Sequence, residues 1–117
     1  MNKALRGLFA RKLFSATTPI QVFYGFSKEQ QPKPYITYHE FYSGKASENS
    51  RETMMEVNIW HDSAIGSKDL AQTIVDRLHK AHLVAGARLL WISTNDLPDP
   101  DPLMHRTKVV FKVTELY

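Results

Sequence analysis

The chain of 117 residues contains no cysteine, which excludes disulfide bridges, zinc–thiolate sites, thiol nucleophiles and redox motifs together. Its apolar runs fall far short of the roughly 20 residues that span a bilayer, so no transmembrane segment is predicted. Hydrophobic residues at 43% and charged residues at 23% are typical of a globular protein. One domain over residues 1–117 is expected, because a second core has no room.

Short catalytic motifs are also missing, since the sequence has no P-loop, no G-x-G-x-x-G and no G-x-S-x-G. His61, Asp62 and Ser63 are consecutive at the end of a predicted strand, where they point in different directions and form no triad. His79 and His82 are three apart on a predicted helix, but no third ligand has suitable spacing. We therefore expect no enzyme, no metal and no cofactor.

Acidic residues are absent before Glu29, whereas the first helix-like segment is basic. Its cations are Lys3, Arg6, Arg11 and Lys12. Its apolar residues recur at steps of three and four, which places them on one helical stripe: Leu5, Leu8, Phe9 and Leu13. The segment therefore suits an organelle address, a membrane-surface helix, a nucleic-acid arm or the first helix of a fold.

Alternating and helical patterns along the rest of the chain predict an α+β fold. We expect a mainly antiparallel sheet of four to five strands, two helices packed on one face of it, and a long hairpin arm. A second helix is predicted from an N-cap at Ser67, with Asp69 in the first turn and Gly86 as its stop. Residues 45–52 are polar and small, and they predict a mobile hairpin tip.

Aromatic residues occupy both faces of the strand PYITYHEFY, including Tyr35, Tyr38 and Tyr42. Each face of this strand is therefore expected to be covered by another element or by another subunit. Stacking on single-stranded bases is the alternative, but basic residues do not interleave with these rings.

The loop of residues 95–106 carries Asp96, Asp99 and Asp101 together with three alternating prolines. Calcium binding is disfavoured, because the prolines forbid the tight turn and the loop lacks the glycine of an EF-hand. A stiff, solvated acidic loop is the better interpretation, and such a loop suits docking against a basic patch.

The succession PYITYHEFY, polar arm, MMEVNIWHDS, SKDLAQTIVDRLHKAHL, ARLLWIS and KVVFKVTEL resembles the small tail-completion proteins of long-tailed bacteriophages. These are similar to tail-terminator and tail-to-head joining proteins. The resemblance implies a structural virion protein that forms a ring, usually hexameric, at the head-proximal end of the tail. It implies contacts with the tail tube protein and the head–neck connector or stopper protein, passage of DNA through the lumen without sequence readout, and no membrane.

With this resemblance, the basic N-terminal segment is expected to be the first helix of the fold rather than an address. We expect its cations to pair with an acidic neighbour or to face the DNA channel. The arm with Lys45 and Arg51, the three tyrosines and the three aspartates of the loop are expected at interfaces between subunits. A nucleic-acid-binding module and a small enzyme without a short motif remain as alternatives.

Overall fold

A computed structural model describes residues 1–25, 32–97 and 104–116. The described residues form two helices and six strands in one sheet. In chain order these are α1 (Lys3–Thr17), β1 (Gln21–Tyr24), β2 (Tyr35–Ser47), β3 (Ser50–His61), α2 (Ala64–Leu78), β4 (His82–Val84), β5 (Ala87–Leu97) and β6 (His105–Leu116).

The strands are ordered β1-β2-β3-β6-β5-β4. The β1 strand runs parallel to β2, and every other neighbouring pair is antiparallel. Both helices contribute to one core on one face of the sheet. The predicted α+β class and mainly antiparallel sheet are confirmed, but the expected strand count was too low.

Helix α1 packs through the predicted apolar stripe. Leu5, Phe9 and Leu13 are spaced by four residues, and all three are buried. The Phe9 ring is fully buried and contacts the rings of Tyr38 and Phe111, with centroids 5.7 and 6.4 Å away. The first helix therefore covers the centre of the sheet, where its removal would expose the core.

Helix α2 begins and ends earlier than predicted. Its N-cap is Ser63, whose Oγ accepts the Gly66 N–H at 3.1 Å, whereas Ser67 is buried inside the helix. Asp69 consequently lies outside the first turn. The helix ends at Leu78, and Lys80 then adopts a φ of 67°.

The extra strand β4 follows this early helix end. Lys80 donates its N–H to the Leu89 carbonyl, and Leu89 donates to Ala81, so the chain joins the edge of β5 instead of continuing as helix. Gly86, with a φ of 83°, lies between β4 and β5 rather than at a helix end. The prediction of Gly86 as the helix stop was wrong for this reason.

The predicted hairpin arm is confirmed, and it is strand-paired almost to its tip. Pairing of β2 with β3 extends from Tyr35 opposite Trp60 to Ser47 opposite Ser50. The opposite edge of β3 pairs with β6 over the same length. Strand β3 is therefore hydrogen-bonded to a strand on each side along the arm, which differs from the mobile hairpin tip expected for residues 45–52.

The predicted loop of residues 95–106 is shorter at both ends. Strand β5 continues to Leu97 and β6 begins at His105, so only residues 98–104 lie between these two strands. Asp99 and Asp101 fall within that range and outside the described residues.

Candidate assembly surfaces

Arg6 forms its contacts within its own subunit. Its Nε donates to Glu40 Oε1 at 2.7 Å, and its guanidinium lies 5.0 Å from the centre of the Tyr24 ring. The amino terminus of Met1 lies 3.7 Å from the other Glu40 oxygen. The hydrogen bond to Glu40, followed by the charge of that carboxylate, raises the pKa of Arg6. Arg6 therefore fastens α1 to β2.

The other three N-terminal cations remain on the outside of the subunit. Lys3 and Arg11 are exposed and line a groove of about 600 Å³ along the outer side of α1. Lys12 and Arg77 line a smaller hollow of about 130 Å³ between the two helices. Among the described residues, no ion pair holds these four cations. We call Lys3, Arg11, Lys12 and Arg77 the basic helix surface.

The three predicted interface tyrosines have different environments. Tyr35 and Tyr38 are each only 7% exposed, because Tyr35 stacks on Trp60 and Tyr38 joins the core below α1. Their burial corrects the expectation that both are available to another subunit. Tyr42 is 51% exposed, and Gly44 gives its ring room, since a Cβ on Gly44 would lie 2.6 Å from the Tyr42 hydroxyl.

The arm carries two cations directly opposite each other. Lys45 on β2 pairs in register with Arg51 on β3, and both are exposed. Arg51 in turn lies opposite Glu115 on β6. One carboxylate oxygen of Glu115 is buried without a hydrogen-bond partner among the described residues. The arm therefore presents positive charge beside a carboxylate that the fold only partly satisfies.

Asp96 lies at the other end of the sheet and is tied to α2. Its Oδ1 accepts the Thr107 hydroxyl at 3.2 Å, and its Oδ2 lies 3.3 Å from Lys68 Nζ. Thr107 also shares a hydrogen bond of 2.6 Å with the buried Ser67. Asp96 is thus more than a solvated loop charge, because it helps to dock the first turns of α2.

A polar cluster on the sheet face away from the helices is not evident from the sequence. Arg106 places its guanidinium 4.8 Å from the centre of the Trp60 ring and donates to Asn58 Oδ1 at 2.7 and 3.0 Å. Trp60 Nε1 donates to Thr37 Oγ1 at 3.3 Å. Alternation within each strand predicts which residues share a face, but only the cross-strand register brings these groups together.

Three large apolar side chains on the two outer long strands are exposed. Phe41 on β2 is 52% exposed, and Trp91 and Ile92 on β5 are 42% and 46% exposed. The backbone N–H of Trp91 donates to His79 Nδ1 at 3.0 Å, and its indole Nε1 donates to Thr94 Oγ1 at 2.9 Å.

The described residues contain no group of three or more potential metal ligands. His79 caps the end of α2, while His82 belongs to β4, so the two do not share a helix face. Ser63 Oγ caps the N-terminus of α2, and the backbone N–H of Ser63 donates to His61 Nδ1 at 3.0 Å. Neither described helix is long and apolar enough to cross a bilayer.

An extended sheet with two covering helices, exposed apolar side chains on its outer long strands and a basic helix surface defines a small structural domain suited to assembly. Residues 4–115 match the protein family described as Tail completion protein gp17. The chain therefore belongs to this family, and it is a structural tail protein of a phage-type virion.

A solved structure is similar to this fold. A chain from the virion of a native gene transfer agent particle superposes with a TM-score of 0.68 at 16% sequence identity. The match covers 99% of this chain and 100% of that chain. Among curated proteins, no sequence matches.

Proposed function

We propose that the protein forms a hexameric ring at the head-proximal end of the tail, where it ends tail-tube growth and joins the tail to the head–neck connector. The observation that carries this proposal is the family match, which extends over residues 4–115 and leaves almost no described element outside it. Partners of the ring are the tail tube protein on one side and the connector or stopper protein on the other. DNA crosses the lumen without sequence readout.

The basic helix surface supports a contact with an acidic partner. Lys3 and Arg11 are exposed, and among the described residues no ion pair holds any of the four cations of this surface. Because complementary charge steers association, we assign the basic helix surface to an acidic neighbour in the assembled tail.

Electron microscopy of particles produced without this protein tests the proposal. Separated full heads and tails of normal length are expected for a joining role, and overlong tails are expected for a terminating role. Normal infectious particles in its absence would refute both roles.

Charge reversal tests the assigned surface. We expect Lys3→Glu combined with Arg11→Glu to reduce the yield of infectious particles while the purified subunit keeps its thermal unfolding midpoint. Lys80→Glu combined with Arg88→Glu is the control, because it makes the same charge change at two exposed positions outside α1. Equal particle yields for the double variant and the wild type would contradict the assignment.

The same variants separate this function from a nucleic-acid-binding module. A free subunit that uses α1 to bind DNA would lose affinity steeply as the salt concentration rises. The logarithm of its binding constant would fall with the logarithm of the salt concentration, by about 0.9 for each phosphate contact. We expect weak binding of the free subunit to duplex DNA. Tight, salt-sensitive binding that Lys3→Glu and Arg11→Glu abolish would favour the alternative.

A further inference from the structure

The sheet has two incompletely covered edges, and they lie on opposite sides. Strand β1 pairs with β2 only from Tyr35 to Tyr38. Strand β4 and the end of α2 hydrogen-bond to β5 only as far as Trp91, and beyond it the Lys68–Asp96 ion pair joins α2 to β5. Among the described residues, no strand pairs with the outer edge of β2 over residues 41–47 or of β5 over residues 92–97. Uncovered edges of this kind are sites at which another chain can add.

Each uncovered edge contains a β-bulge with an exposed apolar residue. On β2, Phe41 is skipped between the pairs formed by Glu40 and Tyr42. On β5, Ile92 is skipped between the pairs formed by Trp91 and Ser93. A bulged residue is left out of the ladder of its own strand. The side chains of Phe41 and Ile92 are also about half exposed, so both are available to a partner beyond the edge.

The two bulges lie at nearly the same level of the sheet. Glu40 pairs with Met55, Met55 pairs with Phe111, and Phe111 pairs with Trp91, which makes one row across four strands. Phe41 follows the first member of this row and Ile92 follows the last. The exposed apolar groups at the two edges therefore face away from each other at matching heights.

We propose that the edge of β2 in one copy packs against the edge of β5 in the next copy, with Phe41 and Tyr42 against Trp91 and Ile92. This inference rests on the proposed ring and names the contact that closes it. Because the two patches lie on opposite edges, the contact is heterologous and repeats from subunit to subunit. Aromatic side chains are enriched at such interfaces, and burial of these four removes exposed apolar surface from water.

The absence of cysteine allows a direct crosslinking test. Phe41→Cys and Ile92→Cys are made separately, each as the only cysteine of the chain, and each is treated with a short bis-maleimide in assembled particles. We expect neither variant alone to crosslink to itself, and co-assembled mixtures of the two to yield dimers. The variant with both substitutions should yield a ladder that ends at the closed ring.

Controls and contrary outcomes distinguish this contact from the ring itself. Ser15→Cys replaces Phe41→Cys as a matched exposed control on α1, and its mixture with Ile92→Cys should remain monomeric. Protein present at the tail end in microscopy, without crosslinks between positions 41 and 92, would overturn the contact and leave the ring. Dimers from either single variant would overturn it in favour of a two-fold contact. Assembled particles in which the protein is not found at the tail end would overturn both the contact and the ring.

Discussion

Replacement of Phe9 by alanine should strongly destabilise the folded subunit. The Phe9 side chain is fully buried between the rings of Tyr38 and Phe111. Truncation of a buried phenylalanine to alanine costs about 3–5 kcal/mol, since it loses transfer free energy and leaves a cavity. A domain of this size has a free energy of unfolding of about 6–17 kcal/mol, so the loss is a large fraction of the total.

Urea denaturation followed by circular dichroism measures this loss, and Phe14→Ala is the matched control. Phe14 is the same residue type on the same helix, but it is 48% exposed, so its truncation should change the free energy of unfolding by less than about 1 kcal/mol. With a slope of about 1–3 kcal/mol per molar urea, Phe9→Ala should lower the midpoint by at least about 1 M. Phe9→Leu gives a smaller loss if the alanine variant does not fold.

Similar midpoints for Phe9→Ala and Phe14→Ala would refute the packing of α1 described above. Such a result would mean that the N-terminal segment is an appendage, as an address or a free basic arm would be. A loss confined to Phe9→Ala would show that the segment is part of the cooperative fold.

Three further predictions concern other parts of the subunit. Asn58→Ala should lower the free energy of unfolding by about 1–3 kcal/mol, because the half-buried Arg106 loses its two hydrogen bonds, whereas Asn95→Ala on exposed β5 should change it little in the same urea titration. Gly86→Ala should destabilise by about 1 kcal/mol because of the φ of 83°, and Gly7→Ala, with open space around its Cβ position in α1, should stabilise by up to about 1 kcal/mol; thermal unfolding distinguishes the two signs. Burial raises the pKa of Tyr38 above its ordinary value of 10.0, so above about pH 10 the folded chain keeps the neutral phenol while the unfolded chain ionises. The contribution of Tyr38 to the free energy of unfolding should be fully present below about pH 10 and be lost as the pH rises through the Tyr38 pKa. Tyr38→Phe should lessen this loss when unfolding is measured against pH.

Local periodicity was sufficient to predict the elements that cover the core. The steps of four that join Leu5, Phe9 and Leu13 identify the buried side of α1. The alternation of Met55, Val57 and Ile59 likewise identifies the buried side of β3, where all three are fully buried. These patterns depend only on the geometry of one helix or one strand, so no knowledge of its neighbours is needed.

Elements that depend on distant partners were predicted less well. The apolar pattern of α2 continues past Leu78 to Ala81, but the hydrogen bonds of Lys80 and Ala81 to Leu89 end the helix and create β4. Tyr35 is buried on the face away from the helices because Trp60 of β3 stacks on it. Such contacts follow from register across the sheet, which a single-strand pattern does not contain.

The cluster of N-terminal cations divides into two roles once the helix is placed. Lys3 and Arg11 are eight residues apart, and they lie on the solvent side of α1, nearly opposite the stripe that contains Phe9. Arg6 lies at the flank of that stripe, within reach of Glu40 on β2. Loss of Arg6 should therefore affect how α1 is held on the sheet in the free subunit, whereas loss of Lys3 and Arg11 should matter only when a partner is present. The basic character that resembles a targeting signal in sequence thus serves packing at one position and, under the proposed function, assembly at the others.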